Sequence, residues 1–553
     1  MKLKKKYTIY IVTLQKKIFF EIKKIAIKIY YFLILKRRVS NQLSGNLKQK
    51  FKNDPKKKIF IPLVETSHYQ IFHMLVLAKS LVLRGHEVKV LICNGFLKGC
   101  EIKSFIKKDI KNPCWGCKNN IDNILPLFGL DYVSYEDYLT SDDRKKIINL
   151  DKKFSKNLKS KIKYKNFNLT KTVNESLVRY YYGNKFSNNY KNIRSDHINT
   201  SLKSIIFAEK IFKNWNPDIV LNNMPVYSAW EPFFMYFKKK KVKTLTISIT
   251  PLNKRAILFN LSDLLLSDNR YNNYLKKRIN KKLNLHEKKQ LKDFINKRIS
   301  ATDDHIRTNR IIENCNEETL KLKKFLKIEK HKKNIFMFTN LYWDVGLSDQ
   351  KGCYKDVISW VIDTISQIKD DNNINLFIKT HPAEIAKGME SLTTIVDIVK
   401  QKIKKIPINV FFITPEKKIN VYKLSKYIDL AVIYTGTLGL EMMLLNVPVV
   451  NTGKVPYSRL QLSISPINKK KYYNELKRKK NINPLFRKEV LETYAYFYFI
   501  KCPIPWNLTD KAFGHNFTGY NFKKIESLLP NANPQLDHLC DCILDEKKVP
   551  EFW

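Results

Sequence analysis

The sequence predicts an α/β protein of two doubly wound domains, each built on an open parallel sheet. At 553 residues the chain is longer than a single hydrophobic core supports, so it is expected to divide into domains. Apolar residues make up 44% and aromatic residues 12% of it, enough to bury sizeable cores. Two series of alternating strand and helix patterns are separated by a charged helical stretch. This order predicts a cleft between two domains, with ligands at the carboxyl ends of the strands.

The first series starts near Lys56 and contains two strand–helix–strand units. The units are recognised by apolar runs of strand length and of helix length, and Gly85 follows the first helix. The elements in order are a strand at 59–64, a helix at 71–83, a strand at 88–93, a strand at 219–221, a helix at 227–237 and a strand at 242–248. We assign residues 56–255 to a first Rossmann-like domain.

The second series is separated from the first by a charged stretch with few glycines and prolines. We assign 256–330 to a helical connection, 331–480 to a second Rossmann-like domain, and 481–553 to an irregular tail, rich in aromatic residues and proline, that packs over the domains. Within the second domain, strands are expected at NIFMFTN, INLFIKT, INVFFIT and LAVIY, with helices at 357–368, 392–403 and 421–426 between them.

The N-terminal segment 1–55 is basic and amphipathic. Lys23, Lys24 and Lys28 interrupt its apolar run, so neither a spanning helix nor a signal-peptide core is available. On a helix, the apolar side chains of 18–33 form one stripe with lysines elsewhere. Two interpretations stay open: a helix lying in a membrane interface, or an amphipathic helix docked on the protein itself.

Charge constrains the partners without selecting one. The chain has 102 Lys plus Arg against 50 Asp plus Glu, a formal excess of +52. The basic residues are spread along the chain and no nucleic-acid-binding module is recognisable, so we expect no nucleic-acid partner. An anionic membrane surface and phosphorylated substrates both suit this charge.

Nine cysteines include one C-x-x-C pair, Cys114 and Cys117, and one C-x-C pair, Cys540 and Cys542. A structural zinc site needs four ligands, usually two such pairs at a fixed spacing, and these pairs lie more than 400 residues apart in sequence. Reduced cysteines of a cytoplasmic protein are the simpler interpretation. Whether Cys114 and Cys117 bind a metal stays open.

The motif YTGTLGLE, residues 434–441, joins a strand to a helix through a Thr/Gly turn. Backbone N–H groups of Thr435, Gly436 and Thr437 lie where the helix begins, an arrangement that binds phosphate. Glu441 follows one turn later, within reach of a bound ribose. A tight connection with nothing bound is the alternative.

The motif FIKTHPAE, residues 377–384, ends another predicted strand of the same sheet. Pro382 forces His381 into an extended conformation, which holds its imidazole at the mouth of the strand. His381 is suited to hydrogen-bond a phosphate or sugar, or to transfer a proton near neutral pH. Lys379 and Glu384 flank it, whereas a lone structural histidine is the alternative.

The region from Phe336 to Tyr457 resembles the capsule polysaccharide biosynthesis family and related surface-carbohydrate transferases. The resemblance rests on the order FTNLYWDVG, ISWVIDTI, IKTHPAE and YTGTLGLEMMLLNVPVVNTGKVPY. ETSHYQIFHMLVLAKSLVLRGHEV, the CWGC loop and LKDFINKRIS add weaker support, so the similarity touches roughly residues 56–460. It implies the fold of two facing Rossmann-like domains called GT-B, and transfer of a sugar from a nucleotide-sugar donor to a growing glycan or lipid-linked acceptor.

The resemblance also implies the site. His381 matches the family's His-Pro motif near the donor phosphate, and Asp344 matches the acidic position after the first strand of the second domain. The donor-binding set implied by the same motifs is Lys379, Thr435, Gly436, Thr437, Gly439 and Glu441. In the first domain, the loop 65–70 faces the cleft by topology, and Glu65 or His68 is the candidate for activating the acceptor hydroxyl.

The sequence contains no Asp-X-Asp, the carboxylate pair that usually holds a divalent ion on a nucleotide-sugar diphosphate, so a metal-independent transferase without a cofactor is expected. The expected location is cytoplasmic, peripheral at the inner face of the plasma membrane. The alternatives are a sugar-nucleotide epimerase or an alditol-phosphate transferase of related fold, and, outside the enzymes, an inactive membrane-associated assembly factor.

Overall fold

The computed structural model of the 553-residue chain consists of two α/β units. It describes residues 33–45, 56–66, 70–100, 103–104, 114–183, 189–249, 256–260, 275–300, 326, 328–344, 352–386, 390–417, 419–478, 487–508 and 519–545.

The first unit is built on a seven-stranded sheet in the order β14-β8-β7-β6-β1-β2-β3. Five neighbouring strands run parallel, β8 is antiparallel to β7, and β14 is antiparallel to β8. The strands are β1 (Lys58–Pro62), β2 (Glu87–Ile92), β3 (Asp131–Ser134), β6 (Ile219–Asn222), β7 (Lys243–Ile249), β8 (Ala256–Asn260) and β14 (Ile504–Pro505). A separate hairpin pairs β4 (Lys163–Tyr164) with β5 (Phe167–Asn168).

Helices cover both faces of this sheet, which explains why its central strands read as continuous apolar runs. Side chains alternate along each strand: Ile59 and Ile61 enter one core, and Phe60 enters the other. The helices of the first unit are α1 (Gln70–Leu83), α2 (Trp115–Asn123), α3 (Ser141–Ser155), α4 (Thr170–Tyr180), α5 (Tyr190–Trp215) and α6 (Tyr227–Lys239). Residues of α1 pack in the first core, and residues of α3 to α6 pack in the second.

The second unit is built on a five-stranded parallel sheet in the order β11-β10-β9-β12-β13. Its strands are β9 (Lys333–Phe338), β10 (Ile374–Lys379), β11 (Val410–Ile413), β12 (Leu430–Ile433) and β13 (Val449–Asn451). Its helices are α7 (Leu285–Ile299), α8 (Val357–Ile368), α9 (Ile395–Lys402), α10 (Leu438–Leu444), α11 (Lys469–Lys477) and α12 (Lys488–Tyr496).

When the five parallel strands of each sheet are counted along the chain, their order across the sheet is third, second, first, fourth, fifth. This order defines a doubly wound Rossmann-like unit. The predicted fold class, two Rossmann-like domains of the GT-B type, is confirmed. The two units touch where the chain after α4 meets the segment after β9, since the rings of Tyr182 and Trp343 pack with centroids 4.7 Å apart.

Two chain segments differ from the sequence-based expectation. The helical connection was expected to start at residue 256, but 256–260 form β8 and extend the first sheet, because this strand pairs with β7 from Thr246 to Ile249. The tail was expected to be irregular. Instead it supplies three regular elements. Helix α12 contacts α7 and α10, strand β14 joins the first sheet, and helix α13 (Pro534–Leu544) contacts α1.

Residues 33–43 are helical and dock on the protein through one face. Leu35, Val39 and Leu43, spaced four residues apart, are buried in the first core. Gln42 donates through Nε2 to the carbonyls of Tyr520 and Phe522, at 2.5 and 2.8 Å. This part of the N-terminal segment is therefore docked, whereas most of the apolar stripe at 18–33 lies outside the described residues.

None of the helices described is both long and apolar enough to cross a membrane.

Candidate functional site

The carboxyl edge of the second sheet brings three of the predicted motifs together. Strand order reverses between β9 and β12, and ligands of doubly wound sheets bind outside the strand ends at such a point. Asn340, just after β9, donates through Nδ2 to the carbonyl of Thr435, just after β12, at 3.3 Å. The loops after β9, β10 and β12 thus form one continuous edge.

His381 lies at this edge after β10 and is half-buried. Its backbone is extended, with φ −69° and ψ 132°, as the following proline requires. Its Nδ1 accepts a hydrogen bond from the backbone N–H of Ala383 at 3.1 Å. A neutral imidazole with Nδ1 as acceptor carries its proton on Nε2, so Nε2–H is the group that His381 offers as a donor.

Glu384 lies three residues after His381, in the same helical turn, and is buried. Its Oε1 accepts from the backbone N–H of Ile395 at 3.1 Å, which ties the His-Pro turn to the first turn of α9. Burial is the main cause that raises the pKa of Glu384 to about 7. The carboxyl is therefore partly protonated at neutral pH, and its role is to hold the turn that carries His381.

Lys379 is the last residue of β10 and is also buried. Its Nζ lies 3.5 Å from the carbonyl oxygen of Thr380, at the same strand end as His381. A cation in this position adds positive charge beneath the edge where a phosphate is expected.

The turn 435–439 depends on two glycines for different reasons. Gly436 has φ +117°, a conformation that side chains rarely adopt, and a Cβ there would meet nothing within 4 Å. Gly439 is packed so closely that a Cβ would lie 2.2 Å from the hydroxyl oxygen of Tyr457. That hydroxyl donates to the carbonyl of Gly436 at 3.1 Å. Tyr457 therefore fixes the turn, and Gly436 leaves its outer side open.

Thr435 and Thr437 frame the same turn. Thr435 donates through Oγ1 to the carbonyl of Lys454 at 3.2 Å, which links the turn to the loop after β13. Thr437 is the N-cap residue of α10 and makes no side-chain capping bond. Helix α10 has seven residues, so its dipole is a small part of any phosphate binding here.

Glu441 is only 1% exposed and is held by three protein groups. Its Oε1 accepts from the Thr437 hydroxyl at 3.2 Å. Its Oε2 accepts from the Tyr422 hydroxyl and, at 3.4 Å, from Nη2 of Arg298. Arg298 lies at the end of α7 and also donates to the Tyr422 oxygen at 2.9 Å. The Glu441 carboxylate, which the sequence motif predicts near a ribose, therefore forms a buried ion pair with Arg298 beneath the turn.

Asp344 lies after β9 and is exposed. The two aromatic residues before it are anchored, since Trp343 donates through Nε1 to Ser391 Oγ at 2.7 Å and Tyr342 donates to the carbonyl of Thr393 at 2.8 Å. The Arg179 guanidinium stacks over the Trp343 ring at 5.0 Å. The segment that carries Asp344 thus belongs to the contact between the two domains.

The loop after β1 in the first domain is held by the CWGC segment. The Thr66 hydroxyl donates to the carbonyl of Cys117 at 3.0 Å, and Asn120 donates through Nδ2 to the carbonyl of Thr66 at 2.6 Å. Glu65 is half-buried at the carboxyl end of the first sheet, as its position after β1 predicts. His68 lies outside the described residues.

The structure brings together His381, Lys379, Thr435, Gly436 and Thr437 along one edge. Sequence reasoning missed the partners that hold this edge: Arg298, Tyr422, Tyr457 and Asn340. Arg298 stands in the quoted motif LKDFINKRIS, but nothing in that motif shows that it pairs with a residue 143 positions later.

None of the cysteines in the described part of the chain forms a disulfide bond. Burial raises the pKa of Cys93, and the thiols of Cys117 and Cys114 add to that shift, so the CWGC segment lies beside the end of β2. Within the described ranges, no group of three or more His, Cys, Asp or Glu side chains is arranged to hold a metal ion.

No protein-family model matches this sequence, and no curated protein sequence matches it. Among solved structures it is similar to KpsC beta Kdo 2,4 transferase of Thermosulfurimonas dismutans, with 13% identity and a TM-score of 0.34 over 57% of this chain and 88% of that chain. It is similar to UDP-GlcNAc 2-epimerase of Neisseria meningitidis bound to UDP-GlcNAc, with 12% identity and a TM-score of 0.23 over 79% of this chain and 97% of that chain.

A third similar structure is CalG4, the calicheamicin glycosyltransferase, with 9% identity and a TM-score of 0.24 over 81% of this chain and 94% of that chain. These similarities are distant, and the fold assignment rests on the strand order of the two sheets. A fold of two Rossmann-like domains hosts many unrelated functions, so the function has to be argued from the site.

Proposed function

We propose that this protein is a glycosyltransferase that moves a sugar from a nucleotide-sugar donor to a growing surface glycan or lipid-linked acceptor. The observation that carries the proposal is the arrangement of His381 at the ligand-binding edge: its Nδ1 accepts from the backbone N–H of Ala383, so the neutral ring carries its proton on Nε2. The motifs that resemble the capsule polysaccharide biosynthesis family also support glycosyl transfer.

In this proposal the donor diphosphate lies along the edge between β10 and β12. These strands flank β9, so their ends are two strand spacings, about 10 Å, apart. Nε2–H of His381 donates to a phosphate oxygen, and the Lys379 ammonium adds positive charge from below. Both stabilise the negative charge that develops on the leaving nucleotide as the glycosidic bond breaks. The open outer side of Gly436 lets the backbone approach the nucleotide.

The acceptor side of the proposal lies in the first domain. Glu65 follows β1 at the carboxyl edge, where a carboxylate is suited to take the proton from an attacking hydroxyl. His68 remains the alternative base, and Asp344 at the contact between the domains is proposed to act near the reacting sugar. Glu441 has a different proposed role: through the Thr437 hydroxyl it positions the donor turn.

The proposed domain organisation follows the same division. The first domain binds the acceptor and the second, 331–480, binds the donor, while β8 moves the end of the first domain from 255 to about residue 260. We also propose that the basic N-terminal segment holds the enzyme at the anionic inner face of the plasma membrane, where a lipid-linked acceptor is found.

The test is nucleotide release by the full-length protein. Purified protein is incubated with UDP-N-acetylglucosamine, GDP-mannose, CMP-linked 3-deoxy-octulosonate or CDP-glycerol, with and without fluorescent glucosides, galactosides and N-acetylglucosaminides. We expect nucleotide release from one sugar donor that depends on a glycoside and yields a lengthened fluorescent product.

Each rival activity gives a different result. An isomerised nucleotide sugar formed without any glycoside would indicate an epimerase. Release of CMP from CDP-glycerol would indicate an alditol-phosphate transferase. No turnover of any donor, under conditions in which the protein is folded, would contradict the proposal and favour an assembly factor.

A further inference from the structure

Strand order in the first sheet also reverses at one point, between β1 and β6. The two strands run in register from Ile59 and Ile219. Asn222 is the last residue of β6, and Thr246 of β7 is its direct neighbour in the ladder. Both residues are therefore level with the carboxyl end of β6, where a doubly wound sheet binds its ligand.

Asn222 and Thr246 point to the same face of the sheet. Residues paired across neighbouring parallel strands share a face of the sheet. Side chains two residues apart on a strand also share a face, and the side chain of Val220, two residues before Asn222, enters the core formed with α3 to α6. Neighbouring strands lie about 4.8 Å apart, so the carboxamide of Asn222 and the hydroxyl of Thr246 are side by side.

Both side chains are buried and incompletely hydrogen-bonded. Asn222 is 1% exposed, and its Oδ1 accepts from the backbone N–H of Met224 at 2.9 Å, which fixes the orientation of the amide. Its Nδ2 has no hydrogen-bond partner in the part of the chain that the structure describes. Thr246 is 9% exposed, and within the same described ranges its Oγ1 has no partner either.

A buried polar atom without a partner destabilises a fold, so two of them on neighbouring strands require an explanation. Both groups are uncharged: an amide N–H donor, and a hydroxyl that can donate or accept. A neutral ligand oxygen such as a sugar hydroxyl satisfies both. A phosphate is a poor match, because neither group carries positive charge.

We propose that Asn222 and Thr246 form a subsite for a hydroxyl group of the acceptor glycan, next to the Glu65 loop that follows β1. This inference rests on the proposed function, since that function makes the ligand of the first domain a glycan. It assigns to two residues outside the recognised motifs the role of orienting the acceptor.

The test compares Thr246→Val with Thr244→Val. Thr244 lies on the same strand and the same face and is 7% exposed, but its Oγ1 donates to the carbonyl of Val242 at 3.0 Å. In Thr246→Val we expect the acceptor KM to rise about tenfold, the donor KM to stay unchanged and Tm to stay equal or rise, because an unsatisfied buried hydroxyl is removed. In Thr244→Val we expect unchanged kinetics and a lower Tm.

Binding is measured separately from turnover, by saturation-transfer NMR with methyl glucoside, methyl galactoside and methyl N-acetylglucosaminide and no donor. We expect the wild-type protein and Thr244→Val to bind at least one glycoside, and Thr246→Val and Asn222→Asp to bind it at least tenfold more weakly. Glycoside binding that is lost in these variants supports the subsite even if no donor is turned over, in which case only the proposed function fails.

Two results overturn the subsite. One is glycoside binding and acceptor KM in Thr246→Val equal to those of the wild type. The other is a fall of Tm in Thr246→Val as large as that in Thr244→Val, because it would show that the hydroxyl serves the fold through an ordered water.

Discussion

Replacing His381 with alanine is expected to lower the rate of sugar transfer at least a hundredfold while leaving Tm nearly unchanged. Loss of one preorganised donor to a leaving group of developing negative charge typically costs a factor of about 100 to 1,000 in turnover. The structural loss is expected to be small, since the imidazole is half-buried and the hydrogen bond that it accepts from the Ala383 N–H contributes about 1 kcal/mol. Transfer rate and thermal unfolding are measured on the same preparation.

Two companion variants separate catalysis from structure. His381→Asn keeps a side-chain acceptor for the Ala383 N–H and an outward N–H donor, so we expect it to retain more activity than His381→Ala. His331 is exposed and lies just before β9 at the opposite edge of the same sheet, and His331→Ala is expected to transfer sugar at the wild-type rate. Retained turnover in His381→Ala, together with a Tm several degrees lower, would make His381 a structural residue.

Replacing Arg298 with methionine is expected to destabilise the protein by about 3 kcal/mol, because it leaves the Glu441 carboxylate buried without its cation. Arg298 is 11% exposed on its side chain and Glu441 1%, so solvent cannot replace the lost partner. Adding Glu441→Gln removes the stranded charge, and the double variant is expected to be more stable than Arg298→Met alone. Chemical denaturation of the single and double variants gives the coupling free energy.

A neighbouring ion pair supplies the control. Arg278 donates to both carboxylate oxygens of Glu287, at 2.5 and 2.7 Å, but the Arg278 side chain is 26% exposed. Because water reaches this pair, Arg278→Met is expected to cost about 1 kcal/mol or less. If Glu441→Gln instead raises the donor KM without changing stability, Glu441 contacts the ribose, as the sequence motif implied, and the buried pair is secondary.

Much of the fold could be predicted because its signals are local. Continuous apolar runs such as those of β1 and β9 predict strands covered on both faces, and helices α1 and α8 begin and end close to where periodicity places them. Strands β8 and β14 were missed because their pairing defines them. Strand β8 pairs antiparallel with β7, and the two-residue β14 pairs with β8, which lies about 250 residues earlier in sequence.

The candidate site was predictable only in part. Pro382 fixes the backbone of His381 locally, so its extended conformation and its place at the strand end follow from the sequence. The burial of Glu441 does not, because it depends on Arg298 and Tyr422, which reach it from other parts of the chain. The subsite at Asn222 and Thr246 carries no motif at all, and only the ladder pairing places the two residues side by side.

Hydrogen exchange of the full-length protein with UDP, GDP, CMP and CDP measures directly whether a nucleotide binds at the carboxyl edge of the second sheet. One nucleotide is expected to slow exchange at 380–386 and 435–441, while 371–373, at the amino edge of the same sheet, exchange as before. The matching intact nucleotide sugar is expected to protect 63–66 of the first domain as well, since closure excludes water from the reacting centre. Protection by no nucleotide, or protection confined to segments away from this edge, would contradict nucleotide binding at the second sheet.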